Sequence, residues 1–273
     1  MKVYLDTSSI RKNSNQLDIF KNTDCFTSSF TVFELISGIK EDDFLLRKNA
    51  IKNLLNSSIC IDWETYKDKM YNAFGQLYND NEGIVIKKMA EAIIECDTFQ
   101  EYYKKKIYID ADTYYTHESF EDFDVEISGI GKMFSEIGKC EWRELDKLER
   151  KSFKENMIEK ELIFSHVQFL IELSLMNLAE DISGHKRPSE EYFNVIDKYD
   201  QSLGVYLRYT HFWFLIREMN GSVCGKNDMA DTIHLIYLHE NDVIITEDKI
   251  FQELNNILQL IEVYNSEEFI NEI

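Results

Sequence analysis

Short β-branched or aromatic runs followed by helix-opening residues occur at the two ends of this chain, and a long helically patterned stretch separates them. Lys2-Val3-Tyr4-Leu5-Asp6 leads into Thr7-Ser8-Ser9, and Cys25-Phe26-Thr27-Ser28-Ser29 leads into a segment with Phe30, Phe33 and Ile36 at helical spacing, stopped near Gly38. Ile59-Cys60-Ile61 is a third strand candidate before Asp62-Trp63-Glu64. After Gly221 the alternation resumes. Asp231 to Glu240 is predicted as an amphipathic helix, Val243 to Thr246 as a buried strand, Phe251 to Leu260 as a helix and Ile261 to Tyr264 as a last strand. Strand–helix alternation of this kind predicts an α/β fold with a central parallel sheet.

The middle of the chain reads differently. Apolar residues recur at three- and four-residue spacing over Leu145 to Ile182 and Tyr192 to Met219, with Gly184 to Pro188 as the turn between two long helices. The aromatic residues Tyr206, Tyr209, Phe212 and Trp213 have the spacing of helix–helix contacts. A single proline among 273 residues suits uninterrupted helices. The expected division is a discontinuous core of residues 1–62 plus 222–273 and a mainly helical insertion at 63–221, which makes the chain helix-rich overall.

Fifty acidic against thirty basic residues give a formal net charge of −20, which argues against coating DNA or an anionic membrane by bulk charge. It leaves room for a nucleic-acid enzyme whose carboxylates meet phosphate through a cation. The five scattered cysteines include no C-x-x-C pair, so neither a disulfide framework nor a zinc ribbon is expected, and a reducing cytoplasmic setting fits. The richest apolar run, Leu162 to Leu178, is interrupted by His166, Gln168 and Glu172, and no membrane span is expected.

Several acids occupy places where chemistry is done. Asp6 ends the first strand, Asp248 follows the strand ending near Thr246, Asp231 is expected to open a helix with Asp228 one turn before it, and Glu34 sits between Phe33 and Leu35. Ligands of open parallel sheets bind beyond the carboxyl ends of strands, where Asp6 and Asp248 would emerge. Crowded carboxylates repel unless a cation intervenes, and oxygen-only ligation favours Mg²⁺ or Mn²⁺. Taken singly, Asp6 also reads as a helix N-cap, whereas Glu34 near an apolar helix face needs a partner.

These residues resemble the PIN-domain nucleases, a family that includes toxin ribonucleases of bacterial toxin–antitoxin pairs. Val3 to Ser9 is similar to the opening strand and its Asp-Thr-Ser turn, Thr31-Val32-Phe33-Glu34-Leu35 to the glutamate-bearing second helix, Asn227 to Leu235 to the third acidic motif, and Ile245-Thr246-Glu247-Asp248 to the Thr-x-Asp after a later strand. Ile261 to Phe269 resembles the closing strand and its phenylalanine. The resemblance covers residues 1–62 and 222–273. It implies a three-layer α/β fold and metal-dependent hydrolysis of RNA, with Asp6, Glu34, Asp231 and Asp248 holding Mg²⁺ or Mn²⁺. Ser8 and Thr246 would orient the carboxylates, and Asp228 would be an outer ligand or a helix-entry residue. RNA is then the expected substrate, with an antitoxin or regulatory protein and a homo-oligomer as compatible partners. The large middle segment departs from the compact family pattern. A non-catalytic scaffold that binds protein or RNA through its helices, and a small-molecule phosphatase, are the alternatives.

Other motifs carry less. His234 reads as packed near the site, and its five-residue spacing from His239 does not put the two on one helix face, so no zinc pair is indicated. Gly221 to Asn227 lacks P-loop spacing, Gly129 to Lys132 lacks a third glycine, and Ile109-Asp110-Ala111-Asp112-Thr113 breaks the phosphatase Asp-x-Asp pattern. The clusters Lys104 to Lys106, Lys147 to Lys154 and His185 to Arg187 read as solvated, salt-bridged faces more readily than as an RNA track.

Overall fold

Val3, Tyr4 and Leu5 are all buried, the signature of a strand covered on both faces, and they form β1 (Val3–Leu5) at the centre of a parallel sheet. The computed structural model describes residues 2–78, 80–120, 146–159, 162–220 and 228–272. Its described part is α/β and helix-rich. Contacts divide it into two compact units, one comprising Met1–Lys67, Asn79–Val125 and Tyr237–Ile273, the other Asp68–Tyr78 and Glu126–Ile236.

In the first unit, β1 pairs in parallel with β2 (Cys25–Ser28) on one side and, on the other, with the strand Val243–Ile245. β3 (Cys60–Asp62) extends the sheet beyond β2, and Glu262–Tyr264 extends it beyond Val243–Ile245. The five strands therefore run outward from β1 in both directions, a topology compatible with a three-layer arrangement. Val3 registers with Cys25 and Val243, so the carboxyl ends of the central strands lie together.

Helices α1 (Thr7–Asn13), α2 (Ser29–Ser37) and α3 (Phe44–Asn56) connect the early strands and pack on one another. Ser28 caps α2 by accepting from the Thr31 amide. After the short α4 (Tyr66–Asn72) comes α5 (Glu82–Glu95), which turns Val85, Met89 and Ile93 inward and packs on α2 and α3. The expected insertion boundary at residue 63 is thus not where the contacts divide the chain, because this amphipathic face buries itself on the sheet unit.

The middle segment is also not purely helical. After α6 (Phe99–Tyr103), β4 (Ile107–Tyr108) and β5 (Tyr114–Tyr115) form an antiparallel hairpin. Its turn contains the Asp110-Ala111-Asp112 motif. Asp110 Oδ1 accepts from the amides of Asp112 and Thr113, so this carboxylate holds a turn.

The second unit is built on α7 (Lys147–Glu159), α8 (Leu162–Ser183), α9 (Glu190–Ile196), α10 (Gly204–Met219) and α11 (Asp228–Ile233). Ile163, Val167 and Ile171 recur every fourth residue on the buried side of α8, which packs against α9 and α10. Tyr209, Phe212 and Trp213 are buried, in keeping with their reading as helix contacts. The single helix expected over Tyr192 to Met219 is instead two. Asp200 breaks it, its side chain accepting from the Ser202 amide and its own amide bonding to the Ala73 carbonyl. Gly184, at φ +69°, makes the turn after α8, where Glu180 receives Lys186 and Arg187, each at 2.9 Å. That basic cluster is salt-bridged, as expected of a solvated face.

By length and composition alone, with a mean hydropathy of 1.5, α8 is apolar enough to cross a membrane, a property that core helices of soluble proteins share. Among the described residues, Cys25, Cys60 and Cys96 carry free thiols. Cys140, Cys224 and the glycine motifs at 129–132 and 221–227 lie outside the described residues.

His211 of α10 is buried, and its Nε2 shares a 2.8 Å hydrogen bond with Ser174 of α8. Burial pushes its pKa down to about 4. The unfolded chain therefore takes up the proton first, near pH 6.5, and native stability falls as pH drops from there toward 4. The loss amounts to about 1.4 kcal/mol per pH unit over that interval. We expect His211→Gln, which keeps a hydrogen-bonding amide, to flatten this slope relative to the wild type in urea melts collected across pH 4–7. Parallel slopes would contradict it.

Candidate active site

Asp6 is the first residue beyond β1 and is only 1% exposed. Its backbone bonds to the carbonyl of Ile245 at the end of β6 (Val243–Ile245), so the two central strands release their chains side by side. The carboxylate takes part in local order. Oδ1 accepts from the Ser9 amide at 2.8 Å, capping α1, and the Ser8 hydroxyl lies 2.9 Å from both oxygens. The capping role anticipated for Asp6 is therefore real. It does not preclude a second role.

The Ser8 hydroxyl also accepts the Glu247 amide at 2.8 Å, tying the first turn of α1 to the segment after β6. Two residues earlier than Asp248, Thr246 accepts the Asp248 amide at 3.0 Å. Asp248 occupies the N-cap position of α12 (Lys249–Leu258) yet makes no side-chain capping bond to that helix. Its carboxylate is not committed to the cap, unlike that of Asp6.

Glu34 is half-buried on α2 between the buried Phe33 and Leu35. The Thr7 hydroxyl donates to Glu34 Oε2, which turns the carboxylate back toward the β1–α1 junction. Its backbone is held as well. Arg47 Nη1 donates to the carbonyls of Glu34 and Leu35 at 3.1 and 3.2 Å, while Arg47 Nε pairs with Asp43 at 2.5 Å. The guanidinium lies where Gly38 leaves room, since a Cβ there would stand 2.9 Å from its nitrogens.

Asp6 and Ser8 lie just after β1, Thr246 and Asp248 just after the adjacent β6, and the Thr7 hydroxyl ties Glu34 to the β1–α1 junction. Thr7, Ser9, Arg47 and Glu247 each hydrogen-bond to one of these residues, although none was expected to belong to the site. Glu247 adjoins the Thr-x-Asp motif, so its position was visible but its role was not. Burial raises its pKa, but hydrogen bonds from Lys12 and Ser266 more than offset this and hold it below the usual range. It accepts Lys12 Nζ at 2.8 Å and both the amide and hydroxyl of Ser266, so its charge secures the surrounding helices. Beneath the junction, Tyr4 is wholly buried, with its hydroxyl 2.7 Å from Ser28 and 3.2 Å from Thr31. Burial raises its pKa well above that of free tyrosine, so it stays neutral.

Asp228 and Asp231 belong to the helical unit. Helix α11 already includes Asp228 three residues earlier, which corrects the expectation that Asp231 opens the helix. The expected helix to Glu240 also shortens, giving way to a 3-10 turn at His234–Tyr237. His234 is buried, as a packed histidine should be.

All the donors at the strand ends are oxygens, which suits a hard cation in chemistry. The hydroxyls of Thr7 and Ser8 stand on the carboxylates, and among the described residues no three His, Cys, Asp or Glu side chains are grouped so as to hold a metal ion. Comparison with family models, curated proteins and solved structures found no match.

Proposed function

We propose that the sheet unit is a PIN-type, Mg²⁺- or Mn²⁺-dependent phosphodiesterase that hydrolyses RNA. The observation that carries the reading is positional. β1→β2→β3 runs to one side and β6→β7 (Glu262–Tyr264) to the other, so Asp6 and Asp248 leave adjacent strands where the sheet order reverses. Ligands of open α/β sheets bind at that crevice. Glu34, turned to the same junction by Thr7, adds a third carboxylate.

In this reading Asp6, Glu34 and Asp248 hold the cation. Ser8 orients Asp6, and Thr246 fixes the start of α12 and with it Asp248. The bound ion would supply positive charge for the phosphate oxygens and a water activated for attack. A second reading, a non-catalytic scaffold with a protein or RNA partner, is favoured by one observation. Leu162, Phe164, Phe169 and Leu173 of α8 are exposed apolar side chains in the helical unit.

Ligand binding separates the two. A filled site stabilises the native state by about 2.7 kcal/mol at a cation concentration a hundredfold above Kd. We expect Mn²⁺ to raise the melting temperature saturably and EDTA to reverse the shift. Anomalous scattering from Mn²⁺-soaked crystals would identify which carboxylates touch the ion, with Asp228 and Asp231 included in the question. A flat Mn²⁺ titration would sink the catalytic reading.

A further inference from the structure

We propose that the β4–β5 hairpin is a stacking platform for single-stranded RNA, which names the form of substrate and rests on the phosphodiesterase reading for its choice of RNA. Tyr108 and Tyr114 are cross-strand partners. Both rings face solvent, 52% and 45% exposed, while Ile107 on the other face is buried. Their centroids are 5.7 Å apart with planes tilted by 51°, so neither ring covers the other.

The hairpin is rigid for its size. Asp110 accepts two amides of the turn, and the Ile109 amide closes onto the Thr113 carbonyl. Rigid, exposed aromatic rings present a face to unpaired bases at little entropic cost, and every base has a face to offer.

Cations accompany the rings. Lys106 Nζ lies over the Tyr114 ring, 4.2 Å from its centroid, a place an incoming base would have to share or take, and Lys88 Nζ bonds the Tyr108 carbonyl at 2.9 Å. Within the lysine triplet, Lys105 is committed to Glu95 at 2.6 Å, whereas Lys104 and Lys106 make no ion pair among the described residues. Ammonium groups next to stacking rings match a strand that alternates bases with phosphates. Asp110 and Asp112 lie in the turn, beyond the strands that carry the tyrosines. The hairpin packs on α5, and α5 packs on α2, the helix that bears Glu34. A duplex, whose bases are already stacked, gains nothing from such a surface.

The test is fluorescence anisotropy of a short labelled uridine oligonucleotide at low salt in EDTA, so that binding is read without cleavage. Tyr108→Ala/Tyr114→Ala should weaken binding by about tenfold or more. Tyr108→Phe/Tyr114→Phe should retain it, and Lys106→Gln should lower the salt dependence. The same oligonucleotide annealed into a duplex should bind more weakly. Photo-crosslinking of wild-type protein should map to Tyr108 or Tyr114, a readout that holds even if the alanine pair disturbs the hairpin. Equal affinity of the alanine pair and wild type, crosslinks mapping elsewhere, tight duplex binding or no RNA binding by wild type would each overturn the proposal. RNA cleavage by wild type in Mn²⁺ with tyrosine-independent binding would remove the platform alone. Tyrosine-dependent binding without any cleavage would keep the platform and remove the nuclease reading.

Discussion

On the phosphodiesterase reading, Asp6→Asn should sharply reduce Mn²⁺-dependent cleavage of RNA and leave the sheet unit folded. The two halves of this expectation have separate physical causes. Asparagine caps a helix about as well as aspartate, so the Ser9 amide keeps its acceptor and α1 keeps its start. What disappears is one carboxylate oxygen at a buried position next to the end of β6. Losing one preorganised electrostatic group typically costs about 10²–10³ in rate. Asp6→Ala would add a stability loss of about 1 kcal/mol from the missing cap. The measurement is hydrolysis of a mixed RNA pool in Mn²⁺, paired with urea unfolding of each variant. A folded Asp6→Asn protein that still cleaves would reject Asp6 as a participant.

Phe251→Ala lowers the stability of the sheet unit by about 3–5 kcal/mol. Phe251 is 0% exposed and, with Leu254, forms the buried side of α12. Truncation removes the ring's burial and leaves a cavity that a close-packed interior cannot fully fill. Glu253, exposed on the opposite side, is the control: Glu253→Ala should change stability by no more than about 0.5 kcal/mol. Because α12 begins immediately after Asp248, the Phe251 variant should also weaken Mn²⁺-induced stabilisation. Urea melts with and without Mn²⁺ read both effects. A loss near that of Glu253→Ala would show that α12 is not anchored through this ring.

What the amino-acid pattern determined by itself is whatever depends on neighbours along the chain. Strand runs at Val3–Leu5 and Val243–Ile245, the cap at Asp6 and the carboxylate of Glu34 between two buried apolar residues all follow from local period and local chemistry. The hairpin at Ile107–Tyr115 escaped because two-residue strands have no period to detect, and the break at Asp200 because its deciding bond goes to Ala73. Tertiary structure alone decided the partnerships. Thr7 reaches Glu34 across 27 positions and Ser8 reaches Glu247 across 239. Hydrophobic alternation specifies that a strand is buried but carries no information about which strand lies beside it. The order β3-β2-β1-β6-β7, and with it the adjacency of the strands that release Asp6 and Asp248, exists only once the strands have paired.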